Sequence, residues 1–268
     1  MRAALVNAAA TTGDASMVEM LLLQGARVDA RDQNGDTPLL KAAYFGHTKV
    51  CELLLDIGNA KIEDTRLDGG IEGRTALFQA AQKGHPSTVT LLLSRGARVD
   101  VTPLLVAAHF GHAEVCKLLL ETGKANVKET TPGGATPLLC AAENGHTEVC
   151  ELLLASGSDL DERETNSLMT ALHKAALLGH QSLFDLLLSR KVDVNSRDRR
   201  GCTPLHCASQ EGHHSFAVSL LHAGADPLLP NIDGTLPIHL AAMYDHPEVL
   251  RILIEQGGCS IDQVRDFD

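Results

Sequence analysis

Three observations predict an all-α solenoid of stacked helix-turn-helix units with β-hairpin fingers. A short motif recurs at near-constant spacing, apolar residues fall at helical spacing inside each copy, and the core material is almost free of aromatics. Thr37-Pro38-Leu39, Thr102-Pro103-Leu104, Thr136-Pro137-Leu138 and Thr203-Pro204-Leu205 are one motif, with Thr75-Ala76-Leu77, Thr170-Ala171-Leu172 and Leu236-Pro237-Ile238 as variants. The intervals between these slots are 38, 27, 34, 34, 33 and 33 residues. A period of this size marks a supersecondary unit that cannot hide its own apolar face, so neighbouring copies must stack. The chain is 44% hydrophobic but only 3% aromatic, with no tryptophan. Its core is therefore built from Leu, Val and Ala, which suits closely packed helices better than a sandwich or barrel.

Each element of a copy has a mechanical reason. Thr caps the first helix, and Pro occupies its first turn, where a missing N–H costs nothing. Leu39, Ala42 and Ala43 stand at i, i+3 and i+4, forming one stripe toward neighbouring helices, and the alanines allow close approach. Gly-His, as at Gly46-His47, ends that helix with a residue that tolerates positive φ. A second helix follows with core spacing, as in Val50-Cys51-Glu52-Leu53-Leu54-Leu55. Glycine closes it at 25, 58, 96, 123, 157, 224 and 257, and turn pairs such as Asn34-Gly35 or Asp233-Gly234 then make a hairpin finger.

These motifs, in register over nearly the whole chain, resemble the ankyrin-repeat family. The resemblance implies one domain, residues 1–268, of eight helix pairs at about 1–31, 32–69, 70–98, 99–130, 131–164, 165–197, 198–230 and 231–268. The first copy is degenerate, with Gly13-Asp14 in the Gly-His slot. The 38-residue interval lengthens the finger between Gly58 and Thr75, and the 27-residue interval removes most of the finger before Thr102, leaving a notch. Lys191, Asp245 and Leu168 each replace a glycine. The terminal Asp266-Phe267-Asp268 resembles the start of another finger, which suits either a frayed cap or a chain cut from a longer array.

Charge and cysteine usage exclude several classes. The net charge of −11 opposes phosphate-backbone binding, so no nucleic-acid partner is expected. It also opposes docking on anionic lipid, and no apolar run approaches a membrane span. The N-terminal residues lack a signal-peptide pattern. Seven cysteines cannot all pair, and Cys51, Cys116 and Cys150 share a helical slot where other copies carry Val or Phe. They read as small hydrophobes in a reducing compartment, cytoplasm or nucleus. Ten of thirteen histidines fall at framework positions, counting His246 and also His173, His206 and His239, where the family ties repeats together by hydrogen bonds. Cys202, His206, Cys207 and His213 are the densest ligand cluster, but their spacing does not match a zinc site. Neither metal nor cofactor is expected, and no phosphate loop, nucleophile elbow or His-Glu-x-x-His suggests an enzyme.

Binding is the expected work. In the family the two residues before Gly-His point into a concave face lined by fingers and first helices. Here these positions include Tyr44, Phe45, Lys83, His109, Phe110, Asn144, Leu177, Leu178, Gln210, Glu211, Met243 and Tyr244, and all seven such pairs hold four of the chain's eight aromatics. Such residues either anchor a partner or stack on neighbouring repeats. Arg190, Lys191, Arg197, Arg199 and Arg200 form a basic patch in an acidic protein, either simply solvated or, through Arg197, Arg199 and Arg200, steering an acidic segment to the apolar groove. Asn195 resembles the asparagine that intracellular hydroxylases modify in ankyrin repeats, beside the plainer reading of a hairpin asparagine. The expected function is a monomeric, non-catalytic scaffold holding a protein or peptide segment, acidic and apolar in character. The alternative is the recognition or targeting domain of a larger protein, such as a ubiquitin-ligase adaptor, channel or signalling enzyme.

Overall fold

Helix pairs form wherever the motif recurs. The computed structural model describes residues 2–66, 74–99, 101–122 and 125–260, and the finger between Gly58 and Thr75, Asp100, Gly123 and the 266–268 ending fall wholly or partly outside them. Among the described residues sixteen α-helices lie in two compact units, Met1–Asn126 and Val127–Asp268. The first unit holds α1 (Arg2–Thr12), α2 (Ala15–Leu23), α3 (Pro38–Tyr44), α4 (Thr48–Asp56), α5 (Ala76–Gln82), α6 (Pro86–Ser94), α7 (Val101–Phe110) and α8 (Ala113–Glu121). The second holds α9 (Pro137–Glu143), α10 (Thr147–Ala155), α11 (Ala171–Leu178), α12 (Gln181–Ser189), α13 (Pro204–Gln210), α14 (His214–His222), α15 (Pro237–Met243) and α16 (Pro247–Glu255). Inside each unit, odd-numbered helices pack on odd and even on even, and each pair closes on itself, which is an all-α repeat solenoid. Among the described residues no helix is long and apolar enough to cross a membrane.

The caps act as the sequence requires. The hydroxyls of Thr37, Thr75, Thr136 and Thr170 accept the N–H three residues on. Thr102 differs in placement: α7 starts at Val101, so Thr102 lies inside the helix rather than ahead of it. The expected β-hairpins are realised as tight turns, and no strand forms among the described residues. Backbone bonds such as Asp198 N–H to Cys202 O (2.9 Å) and Gly201 N–H to Asp198 O (3.0 Å) close these turns, too few for a ladder. The second helices also depart from expectation at their ends. Gly25, Gly96, Gly157 and Gly224 have positive φ, but at Gly58 and Gly257 an extra residue fits into the last turn and Asn59 (φ 51°) and Gly258 (φ 68°) take the left-handed position instead. Lys191, Asp245 and Leu168 do adopt positive φ, at 64°, 58° and 58°.

The Gly-His pair does more than end a helix. The Nε2–H of His85 donates to Tyr44 O at 3.0 Å, one repeat earlier, and its ring lies so close to Gly46 that an added Cβ would meet Nδ1 at 2.6 Å. Gly46, at φ 74°, thus serves twice, as a left-handed turn and as the floor on which the next ring rests. The same bond recurs from His47 to Thr11, His112 to Gln82, His180 to Glu143, His213 to Leu177 and His246 to Gln210, at 2.9–3.2 Å. Asp14, in the degenerate first copy, instead caps α2 through Met17 N–H. A second set of bonds joins repeats at the other end of the first helices. Backbone N–H groups of Thr170 and Thr203 donate to Nδ1 of His173 and His206, so Nε2 carries the proton and donates to Cys202 O and Thr235 O, each at 3.0 Å.

All seven cysteines are free and buried. Cys51, Cys116 and Cys150 are fully enclosed, in the slot where Val18, Val89 and Phe184 also pack. Phe184 meets Phe216 edge-on, 5.0 Å between centroids.

Three outcomes follow from these contacts. Gly46→Ala should cost about 2–4 kcal/mol and His85→Ala about 1–3 kcal/mol in urea unfolding, with the double variant losing less than the sum, because removing the ring clears the space for the new methyl. Burial pushes His206 down to about 4 and lowers His173 as well, so both are neutral in the fold and protonate in the unfolded chain from about pH 6.5 downward. Stability should be intact above pH 6.5 and fall steadily toward pH 4, by about 3 kcal/mol for His206 alone; His206→Ala should flatten that slope while lowering stability at pH 7. Lys191→Gly should gain about 0.5–1 kcal/mol in thermal unfolding by relieving the left-handed lysine.

Candidate functional site

The helix-end residues expected to bind lie where the first helices end and the chain turns through Gly-His, while Arg197, Arg199 and Arg200 lie on the finger between α12 and α13. Where Gly46, Gly84, Gly145, Gly179 and Gly212 follow them, the lock histidine of the next repeat holds the carbonyl two residues before the glycine, so those side chains project from a fixed backbone. In the first unit Phe45 and Phe110 are each 46% exposed and Lys83 is exposed, while Tyr44 is half-buried. Tyr44 packs edge-on against Phe45 (5.0 Å, 80°), which stacks on His47 (6.0 Å, 23°). His109, Phe110 and His112 repeat the arrangement at 4.8 Å and 6.3 Å. Lys83 Nζ stands 4.6 Å from the Tyr44 ring centre, a cation–π contact between repeats. Part of each ring is thus spent inside the repeat edge, and the remainder faces out. Beside Tyr44 and Phe45 a cavity of about 250 Å³ is lined by Leu40, Lys41, Arg66 and Gln79, its charges paired as Lys41–Asp32 (2.6 Å) and Arg66–Asp36 (3.6 Å).

In the second unit Leu177, Arg199, Arg200 and Gln210 come together on one cavity of about 370 Å³. Met169, Leu177, Cys207 and Leu240 supply its apolar wall, and the fingers carrying Asn166 and Arg199-Arg200 supply its polar rim. Leu178, 46% exposed, sits next to it without lining it. Met243 and Tyr244, 64% and 50% exposed, end α15 and also lie outside the lining, as do Asn144 and Glu211. The Asn144 amide donates to Cys140 O (2.9 Å), and Gln210 donates to Glu211 (2.8 Å).

The basic patch divides. The Arg197 guanidinium donates to Pro230 O, and that of Arg199 donates to Thr165 O at 2.9 Å, so each staples its finger to a neighbour. Arg31, Arg66 and Arg163 do the same with Thr65 O, Asn34 O and Arg197 O. Arg190 and Lys191 follow α12 and do not line the cavity. The Asn195 side chain bridges to the next repeat, donating to Gly224 O (3.2 Å) and accepting Asp226 N–H (2.9 Å). Both polar groups of its amide are in use between the two repeats.

Sequence reasoning missed Cys207 and Leu240 as lining residues. Both stand four positions after the capping slot, and that shared position was the available signal. It also missed Lys174, buried in the same slot of α11 between Glu143 (3.2 Å) and Glu164 (3.6 Å). A charge so enclosed persists only because two carboxylates, one on α9 and one on the finger, surround it.

Chemistry at the thiols is opposed by burial. It pushes Cys51, Cys116 and Cys150 up to about 12 and Cys140 to about 11, and raises Cys202, Cys207 and Cys259. Nucleophilic or metal-binding sulfur needs the thiolate, which these surroundings disfavour. Among the described residues no group of three His, Cys, Asp or Glu side chains is placed to hold a metal ion, so Cys202, His206, Cys207 and His213 do not converge.

Comparison with known proteins agrees with the repeat geometry. The family model described as Ankyrin repeats matches residues 5–102, 98–164 and 157–231, and that described as Ankyrin repeat matches 233–266. Curated relatives include "Ankyrin repeat, SAM and basic leucine zipper domain-containing protein 1" of Notamacropus eugenii, 37% identical over 40% of this chain and 24% of that protein. "Ankyrin repeat and KH domain-containing protein mask-1" of Caenorhabditis elegans is 34% identical over 41% of this chain and 4% of its own length. The Drosophila melanogaster protein mask is 44% identical over 33% of this chain and 2% of its own length. The chain thus spans a quarter or less of these multidomain relatives. With family models covering the described helix pairs from the first copy to the last, the chain belongs to the ankyrin-repeat family.

Proposed function

We propose that the chain is a non-catalytic scaffold that holds a segment of another protein along the edge where fingers meet first-helix ends, centred in the second unit on Leu177 and Leu178. Ankyrin repeats in general mediate protein–protein interaction, and the relatives carry them beside other domains. One observation supports this edge above others. An apolar-walled cavity of about 370 Å³ opens beside Leu178, which is nearly half exposed on a backbone held by lock bonds. Exposed apolar side chains next to a preformed cavity are the usual anchors of a partner, and a rigid frame lowers the entropic cost of association. Tyr44, Phe45 and Phe110 in the first unit, and Met243 and Tyr244 in the second, extend the same kind of edge. The reading of residues 1–268 as one domain of eight repeats belongs to this proposal, supported by the same motif running through both units. A reducing compartment, cytoplasm or nucleus, suits seven buried thiols without a disulfide. Service as the recognition part of a larger protein is the second reading, favoured by the multidomain relatives.

The Leu177→Ser/Leu178→Ser variant should keep its circular dichroism and unfold cooperatively, while losing about 2–4 kcal/mol of affinity for a protein captured by the unaltered chain, measured by calorimetry. Equal affinity of both forms for that protein would remove this site from consideration.

A further inference from the structure

Of the arginines in the 197–200 finger, two are consumed by the fold. Arg197 and Arg199 each donate to a carbonyl of an adjoining finger. Arg200 is arranged the opposite way: its backbone is tied down and its side chain is left over. Its N–H donates to Asp198 Oδ1 (2.8 Å), and its carbonyl accepts Ile232 N–H from the next finger (3.0 Å). The guanidinium makes no hydrogen bond or ion pair among the described residues, is exposed, and lines the cavity walled by Met169, Leu177 and Leu240. The nearby carboxylate of Asp198 accepts the N–H groups of Arg200 and Cys202, both at 2.8 Å, so it serves the turn. The same place in the 32–36 finger is Asn34 and in the 231–235 finger Asp233, so neutral, positive and negative groups occupy one position on a shared turn. That position is where the fingers differ in charge while their turn geometry is kept.

We infer that Arg200 is the specificity-determining residue of the Leu177 edge, selecting a partner segment that seats an apolar side chain in the cavity and offers a carboxylate beside it to the free guanidinium. The inference rests on the reading of that edge as the binding surface. Charge complementarity carries the choice of partner: in a chain of net charge −11, an unpaired cation displayed on a fixed stalk at an apolar mouth favours an acidic neighbour of the seated residue. A guanidinium meeting a carboxylate makes a charge-assisted and directional bond, which a neutral amide or a cation in the partner would not reproduce.

The test uses the full chain and three series of synthetic twelve-residue peptides, each with a single Leu, Met or Phe flanked by Glu, Gln or Lys and read by fluorescence polarisation. The Glu series should bind about tenfold tighter than the Gln series, and the Lys series most weakly. Arg200→Glu, a change at an exposed side chain, should leave the melting temperature in place and transfer the preference to the Lys series. Arg200→Ala should bring Glu and Gln peptides to equal affinity. Leu177→Ser/Leu178→Ser should weaken all three series together. A Glu preference that survives Arg200→Glu overturns the assignment of Arg200 and leaves the edge standing. Binding indifferent to the leucine substitutions, or no binding in any series, overturns the reading of the edge and the assignment with it.

Discussion

The bond from a Gly-His ring to the carbonyl of the preceding repeat is the constraint on which the described architecture depends. It satisfies a backbone acceptor that the end of a short first helix leaves open, and it does so with a group from the next copy. The glycine beneath the ring is needed twice, for its left-handed turn and for the absence of a Cβ. Hydrophobic packing of Leu, Val and Ala supplies most of the adhesion between helix pairs, but packing alone is non-directional and tolerates sliding. The lock sets the register, because a ring displaced by one residue would meet a Cβ or lose its carbonyl.

Much of this was legible in the residues. The period, the capping threonines, the Ala-Ala stripe and the turning glycines each follow from a local rule, and all pointed to one architecture. Lys191, Asp245 and Leu168 could be recognised as left-handed positions because glycine occupies their slot in other copies. Other features were not legible, for identifiable reasons. The shift of the left-handed residue from Gly58 to Asn59 depends on how tightly the last turn of α4 closes, and composition does not reveal that. The described fingers lack strands because the backbone bonds that close each tight turn use up its length, whereas the turn dipeptides alone suggested a hairpin.

The candidate site was legible in position and less so in detail. The register places Tyr44, Phe45, Phe110, Leu177, Leu178 and Tyr244 at helix ends. Whether a ring there faces outward or stacks on its own histidine is a matter of rotamer, which the register does not specify. The basic patch shows the same limit more sharply. Arg197, Arg199 and Arg200 are equivalent as charges in a string of letters, yet two of them have carbonyl partners some 33 residues away and one does not. Long-range partners of this kind are supplied by the stacking of fingers, so they become visible only with the fold. Lys174 illustrates the point from inside: its burial is tolerable only because Glu143 and Glu164, far apart in the chain, converge on it.

The lock also determines where this chain can change length. A whole additional helix pair brings both a ring and a carbonyl, so it inserts between two copies with every bond remade, while a fragment of a pair would strand one of the two. The finger lies outside that circuit, and there the spacing has in fact drifted, to 38 residues in one interval and 27 in another, while the helix pairs on either side keep their form. Growth by entire modules and free editing of the connecting tips are therefore two consequences of one hydrogen bond: the frame is counted in whole units, and variety accumulates at the rim.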